Sequence, residues 1–372
     1  MILVFFLCTF IVFSLFSLYY AKNWSRELFV TLSFSRDFTY EGEEIILTEK
    51  IENKKKLPVP ILELGFQLQK GLTFRQMENA QVSDFLYKRD IFSLLGFQRI
   101  TRNLLIDCHQ RGYYSVSDLQ CIGYSLLMKH KYIINLQSNT EFHVYPKRTD
   151  VSDILLSYNQ MMGSRQVAKQ LYEDPFAFHA IREYTMSDPM KTINWKASAK
   201  TGYLMVNTFD STLTGKVMIY LDVNERRMMR QDFLIEEAIS IAASLTYKFT
   251  HQGMNVGLAI NMPNNPHNLA NYEYFYTEPA IGTSHMTKIE RALAKIDLSK
   301  QMLDYNKILQ DKIEDGISIF ITKNEDLLSS ISDFCGKDTP GILVFLTEPN
   351  ENIPIFPQKN NLAIIRRERN KH

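Results

Sequence analysis

The chain opens on an unbroken apolar run and then changes its hydrophobic period twice. Residues 1–20, MILVFFLCTFIVFSLFSLYY, carry no charged side chain, and their length is about what a helix needs to cross the hydrocarbon core of a bilayer. Tyr19, Tyr20 and Trp24 follow where amphipathic rings settle at the membrane–water interface. Lys22 and Arg26 come next, and basic residues on that flank favour keeping the downstream chain in the cytoplasm. A cleaved signal peptide needs a basic start and a small-residue cleavage site; this run starts without Lys or Arg and ends in Tyr-Tyr. The pattern predicts a single-pass transmembrane anchor over residues 1–21, in a cell membrane, with the bulk of the chain cytoplasmic.

Past residue 27 the period falls to two. Residues 28–34 (LFVTLSF) and 44–51 (EIILTEKI) alternate apolar and polar positions and are rich in β-branched side chains, the pattern of half-buried strands. Residues 40–42 and 53–56 read as turns, and Pro58 and Pro60 suit an edge. Residues 61–68, 97–106, 112–116, 119–122 and 141–145 continue the series. This spacing predicts a β-rich, antiparallel, sandwich-like domain over residues 27–147.

Residues 148–214 form a connecting segment, in which 150–171 has helical character interrupted at Gly163 and Ser164. From residue 215 strands alternate with helices. Residues 217–223 (VMIYLDV) are nearly continuous in apolar character, as in a parallel strand buried on both faces. Leu234, Ala238, Ile241, Ala242, Leu245 and Phe249 then recur at helical spacing. Strands are expected at 255–260, 317–322, 342–346 and 362–365, helices near 289–296, 303–313 and 325–334, and a polar loop at 263–279. This repeat predicts a doubly wound sheet over residues 215–370. The fold class is therefore α/β plus all-β: a membrane helix, a sandwich-like domain, a connecting segment and a doubly wound domain.

Composition narrows the function. The chain has 372 residues, 45% hydrophobic and 22% charged, so it can bury more than one core and disorder is confined to loops and ends. A formal net charge of +1 gives no electrostatic reason to expect nucleic acid. The four cysteines, Cys8, Cys108, Cys121 and Cys335, are scattered and form no CxxC pair, which argues against a disulfide framework or a zinc site. No GxGxxG, GxxxxGK[ST] or GxSxG occurs.

The densest chemistry lies in residues 181–206, IREYTMSDPMKTINWKASAKTGYLMV. Arg182, Glu183, Asp188, Lys191, Lys196 and Lys200 crowd around Tyr184 and Trp195. Three readings are open. Tyr184 and Trp195 are buried, with Arg182 and Asp188 satisfying each other in an architectural role. Aromatic and charged residues together form a partner interface. Or Glu183, Asp188 and Lys196 do acid–base work, as in a hydrolase. The architectural reading leads, and it coexists with the second.

Two resemblances attach to these residues. Residues 182–210 resemble the bacterial proteins catalogued as domain of unknown function 58, whose pattern runs roughly R-E-Y-x-x-G-D-x-x-R-x-I-x-W-x-x-x-A-R-x-x-x-L-x-V-x-x-F-E. Arg182, Glu183, Tyr184, Asp188, Ile193, Trp195, Ala199, Leu204, Val206 and Phe209 match it, and Ser187, Lys191, Lys200 and Asp210 depart from it. The change from Arg to Lys keeps charge but loses a planar fork. A Val144-Tyr145-Pro146 segment closes the β-rich region as in that family. The segment Asp222-Val223-Asn224-Glu225-Arg226 resembles the start of a von Willebrand factor A-like domain, where D-x-S-x-S offers oxygens to a divalent metal. Asp222 matches, Asn224 keeps an oxygen, and Arg226 brings an opposing charge.

The family resemblance implies a membrane-bound partner of MoxR-type AAA+ ATPases, often found beside transglutaminase-like membrane proteins. The expected function is a membrane-anchored scaffold or adaptor in the assembly or maturation of envelope-associated proteins, with no catalytic residue assigned. No cofactor is expected; Mg²⁺ at Asp222 and Asn224, as in a metal-dependent adhesion domain, is the one exception the pattern leaves open.

Overall fold

The computed structural model describes residues 2–75, 80–82, 85–125, 128, 130–171, 180–185, 190, 193–208, 215–227, 229–263, 274–309, 316–335, 339–349, 351, 354, 356 and 361–369. The chain divides into two compact units, Met1–Arg148 with Thr287–Asp297, and Thr149–Met286 with Leu298–His372.

The first unit begins with helix α1 (Ile2–Asn23), apolar and long enough to cross a membrane. Ten strands follow: β1 (Leu28–Phe34), β2 (Phe38–Tyr40), β3 (Glu44–Asn53), β4 (Val59–Gln69), β5 (Leu72–Phe74), β6 (Ala80–Val82), β7 (Phe85–Leu94), β8 (Arg99–Cys108), β9 (Gly112–Tyr124) and β10 (Lys131–Tyr145). They form a four-stranded sheet, β1-β3-β8-β5, and a six-stranded sheet, β2-β10-β9-β4-β7-β6. All neighbours run antiparallel except β10 and β2.

Strict alternation builds the sandwich core. Ile45, Leu47 and Ile51 of β3 meet Leu62, Leu64, Phe66 and Leu68 of β4 in one buried cluster. Tyr20 and Trp24 join that cluster, contrary to the interfacial position expected for them. Trp24 stacks on Tyr132 with ring centroids 6.0 Å apart, and Gly123 leaves the room, since a Cβ there would overlap the indole. The expected breaks also differ. Residues 112–122 form one strand, and β10 begins ten residues before residue 141 because Tyr132, Ile134 and Leu136 pack on the core.

The second unit begins with α2 (Ser152–Leu171). It runs through Gly163 without a break, although a mid-helix Gly costs about 1 kcal/mol against Ala. Buried Ile154 and Tyr158 hold its first half, Tyr158 against Phe249, and Asp153 pairs with Arg367. After β11 (Ala180–Glu183), α3 (Trp195–Thr201) and β12 (Met205–Thr208) come β13 (Lys216–Leu221), α4 (Asp232–His251), β14 (Asn255–Pro263) and β15 (Tyr274–Ala280). Next are α5 (Thr283–Ala294), whose residues from Thr287 belong to the first unit, α6 (Tyr305–Ile308), β16 (Gly316–Thr322), α7 (Leu328–Phe334), β17 (Gly341–Thr347) and β18 (Leu362–Glu368).

The sheet order is β15-β14-β13-β16-β17-β18, parallel except for β15. This is a doubly wound order with a topological switch at the central strand β13. Met218, Tyr220 and Phe320 pack with α6 and α7, while the alternate side chains of β13 turn to the opposite face. The edge strand β15 lies where a polar loop was expected. Its tyrosines and Glu278 mask the pattern, and Thr277 turns inward to accept a hydrogen bond from the Leu258 amide at 3.1 Å. The helix expected over 303–313 is a single turn, with 310–315 outside the described residues.

Candidate functional site

Two places gather the residues singled out by sequence. The first is the small element built by β11, α3 and β12. Ile181 to Glu183 pair antiparallel with Asn207 to Met205, and Val206 also bridges Ile193. Asn194 caps α3, its side-chain oxygen accepting from the Ala197 amide at 3.0 Å, and Gly202 ends it with φ +75°, a conformation open to glycine without a Cβ clash. The Ser198 hydroxyl donates to Asn194 O at 2.8 Å and accepts from the Met205 amide at 2.8 Å, tying the helix to the strand.

Ile193 and Val206 are buried, but α3 buries no side chain. Trp195 is 69% exposed, Tyr203 69% and Met190 75%. Tyr184 is half-buried, and Arg182, Glu183, Lys196 and Lys200 face solvent. The expectation of a buried Trp195 is therefore corrected: a seven-residue helix capped at both ends needs no indole to hold it. The Arg182 guanidinium donates to the Glu183 backbone oxygen at 3.0 Å. Asp188 and Lys191 lie outside the described residues, so their part in this cluster is not placed.

The second place is the carboxyl end of β13, where Asp222 is buried. Four donors meet its carboxylate. Asn261 Nδ2 at 2.8 Å and the Asn224 amide at 3.2 Å reach Oδ1. Thr322 Oγ1 at 2.8 Å and Asn324 Nδ2 at 2.7 Å reach Oδ2. Backbone groups fix both amides: Asn261 Oδ1 accepts from the Val223 amide at 2.9 Å, and Asn324 Nδ2 also donates to Asn224 O at 2.9 Å. Burial pushes the Asp222 carboxyl up overall, against the pull of these four hydrogen bonds.

Beside it, Lys323 Nζ donates to both oxygens of Glu225 at 2.6 Å. Both side chains are nearly buried. Glu225 also accepts from the Gln231 amide at 2.7 Å and the Arg227 amide at 3.0 Å. Its carboxyl is shifted down overall; burial opposes this, and Lys323 with the two amides outweighs it. Lys323 is shifted down by burial, against which Glu225 and Asp222 favour its charge. Arg226, expected to oppose a cation, lies within 3.5 Å of Asp304 and 3.8 Å of Asp326. Sequence reading found Asp222 and Asn224 but missed Asn261, Thr322 and Asn324, which lie 39 to 102 positions from Asp222 and meet it only through strand order, and Lys323, which meets Glu225 in the same way.

A metal fits poorly here. Hard cations want a shell of oxygen lone pairs, and Asp222 is surrounded by N–H and O–H donors instead. Asn224 contributes its backbone amide and carbonyl rather than its side-chain oxygen. Among the described residues no group of three or more His, Cys, Asp and Glu side chains could hold a metal. The four cysteines are free thiols, three of them buried, and burial pushes Cys108 and Cys121 up to about 12.

With this geometry in hand the relatives can be placed. Residues 180–304 match the family model described as "Protein of unknown function DUF58". That match starts at β11 and ends just before α6, so it covers both the exposed element and Asp222. No curated protein matches the chain. Solved structures similar to part of it include a non-cellulosomal cohesin from the archaeon Archaeoglobus fulgidus, 17% identical over 31% of this chain and 90% of that one, with a TM-score of 0.22. Others are the sixth cohesin of Acetivibrio cellulolyticus scaffoldin B (11%, 31% and 98%, TM-score 0.23) and a PapD-like domain of human CEP192 (11%, 32% and 84%, TM-score 0.21). Scores this low add nothing to the strand pairing already described.

Proposed function

We propose that this chain is a membrane-anchored scaffold or adaptor that docks a partner protein on the element formed by β11, α3 and β12, with the bulk of the chain on the cytoplasmic side. The observation that carries this reading is the exposure of Trp195, Tyr203 and Met190, together with half-exposed Leu204 and the cations Arg182, Lys196 and Lys200. Aromatic side chains, Met and Arg are enriched at protein interfaces, and a cluster of large apolar side chains kept in water marks an interaction site. The α1 helix supplies the anchor. In this reading the partner class is the one the sequence resemblance implies: a MoxR-type AAA+ ATPase, in a setting that includes transglutaminase-like membrane proteins. The α/β unit is von Willebrand factor A-like in this reading, supported by its sheet order and by Asp222 at the end of the central strand. The alternative, a hydrolase, would need Glu183, Asp188 and Lys196 together in one pocket; Glu183 and Lys196 face solvent, and Asp188 lies outside the described residues.

The test uses the full chain in detergent with a purified MoxR-type ATPase. Trp195→Ala is expected to weaken binding at least tenfold, because a central aromatic carries much of an interface's energy, while the melting temperature stays within a degree or so. Equal binding by both proteins removes docking from this element. No binding by either removes the ATPase as partner.

A further inference from the structure

Asn261, Thr322 and Asn324 close on Asp222 by hydrogen bonds, yet the place itself is where a doubly wound sheet takes its ligand, at the carboxyl end of the central strand beside the switch point. Besides the Asp222 carboxylate, three neighbouring oxygens that a divalent ion would use are engaged. Asn261 Oδ1 is turned to the Val223 amide, Asn224 O is held by Asn324, and Thr322 Oγ1 accepts from the Asn324 amide at 3.0 Å while donating to Asp222. The site nonetheless contains two carboxylates three residues apart, Asp222 and Glu225, and one nearly buried cation, Lys323, between Thr322 and Asn324 in the chain. Each of these three consecutive residues reaches across to the β13 loop: Thr322 and Asn324 to Asp222, Lys323 to Glu225.

We infer that Lys323 is a resident cation: its ammonium supplies from within the chain the positive charge that a divalent ion supplies where such a strand end binds metal. The two crossover loops, after β13 and after β16, are then joined permanently instead of on metal binding. The α/β unit presents its strand ends in one fixed arrangement whatever the divalent-ion concentration. An adhesion-type mechanism, in which an ion completes its shell with a partner's carboxylate, has no role for this chain. The inference is independent of docking at Trp195.

The experiment follows thermal unfolding of the full chain in detergent with EDTA, Mg²⁺ or Mn²⁺ at matched ionic strength, for the wild type, Asp222→Asn, Lys323→Gln and the double variant. The wild type is expected to melt at the same temperature in all three solutions. Lys323→Gln, which keeps a donor but not the charge, should lose several degrees and regain part of them with Mg²⁺ or Mn²⁺; the double variant should regain nothing. Three results overturn the inference: a wild type stabilised by Mg²⁺ or Mn²⁺ in a way that Asp222→Asn abolishes, a Lys323→Gln protein that melts with the wild type, or one that melts lower and ignores both ions. Should Lys323→Gln not fold, Mn²⁺ binding to the wild type, read by water-proton relaxation, decides. Binding that Asp222→Asn removes refutes the resident cation, and no binding upholds it.

Discussion

Glu49 points inward from β3, in a register that sets it opposite Arg102 of β8. Arg102 nevertheless pairs with Asp90 at 3.1 Å, and Lys88 stands 3.4 Å from the same Asp90. Both Glu49 oxygens are buried without a hydrogen-bond partner among the described residues. Burial and then the Asp90 charge push its carboxyl from an ordinary 4.5 up to about 7, with Arg102 and Lys88 pulling the other way. The folded state therefore holds a proton that the unfolded chain releases. Below about pH 4.5 both states are protonated and nothing is lost; stability then falls as pH rises, levelling off above about 7. At 1.36 kcal/mol per unit the loss is on the order of 3 kcal/mol. Denaturant unfolding of wild type and Glu49→Gln between pH 5 and pH 8 checks this: the wild type should lose that increment relative to the variant, and parallel pH profiles would refute it.

At the scale of elements, the end of α1 serves as core. Tyr20 and Trp24 are almost wholly buried among the sandwich strands, and the close approach of the indole to the β9 backbone depends on Gly123. Gly123→Ala should displace Trp24 and cost about 1–3 kcal/mol, the usual range for overpacking. Near-UV circular dichroism should report a changed tryptophan environment alongside a lower melting temperature; an unchanged spectrum at unchanged stability would show that the strand yields instead. Arg111 does comparable work elsewhere in the first unit: its buried guanidinium donates to Leu293 O and Ile296 O, both at 2.9 Å, which satisfies carbonyls left open at the end of a helix.

At the scale of the whole molecule, the apolar helix α1 and the sandwich core share residues, so they cannot be separated at the end of the apolar run. A chain starting at residue 19 keeps Tyr20 and Trp24 and should be soluble without detergent, with a melting temperature close to that of the full chain. A chain starting at residue 26 loses two large buried side chains, each worth about 2–5 kcal/mol, and should melt many degrees lower or aggregate. Equal stability of the two truncations would show that α1 contributes nothing to the sandwich.

The sequence by itself determined the order and type of most elements, because period two, period 3.6 and unbroken apolar runs each reflect which faces a segment buries. It also located the family segment and the carboxylate at the end of β13. It misjudged Trp195, since an aromatic residue among charges reads alike whether buried or displayed, and only α3, which buries nothing, separates the two. It could not reach Asn261, Thr322, Lys323 and Asn324, because a site at strand ends is assembled by strand order, and strand order is not written in local pattern. The donors that meet Asp222 were likewise decided by tertiary structure, which turned two asparagine amides toward it and set a lysine beside its neighbour Glu225.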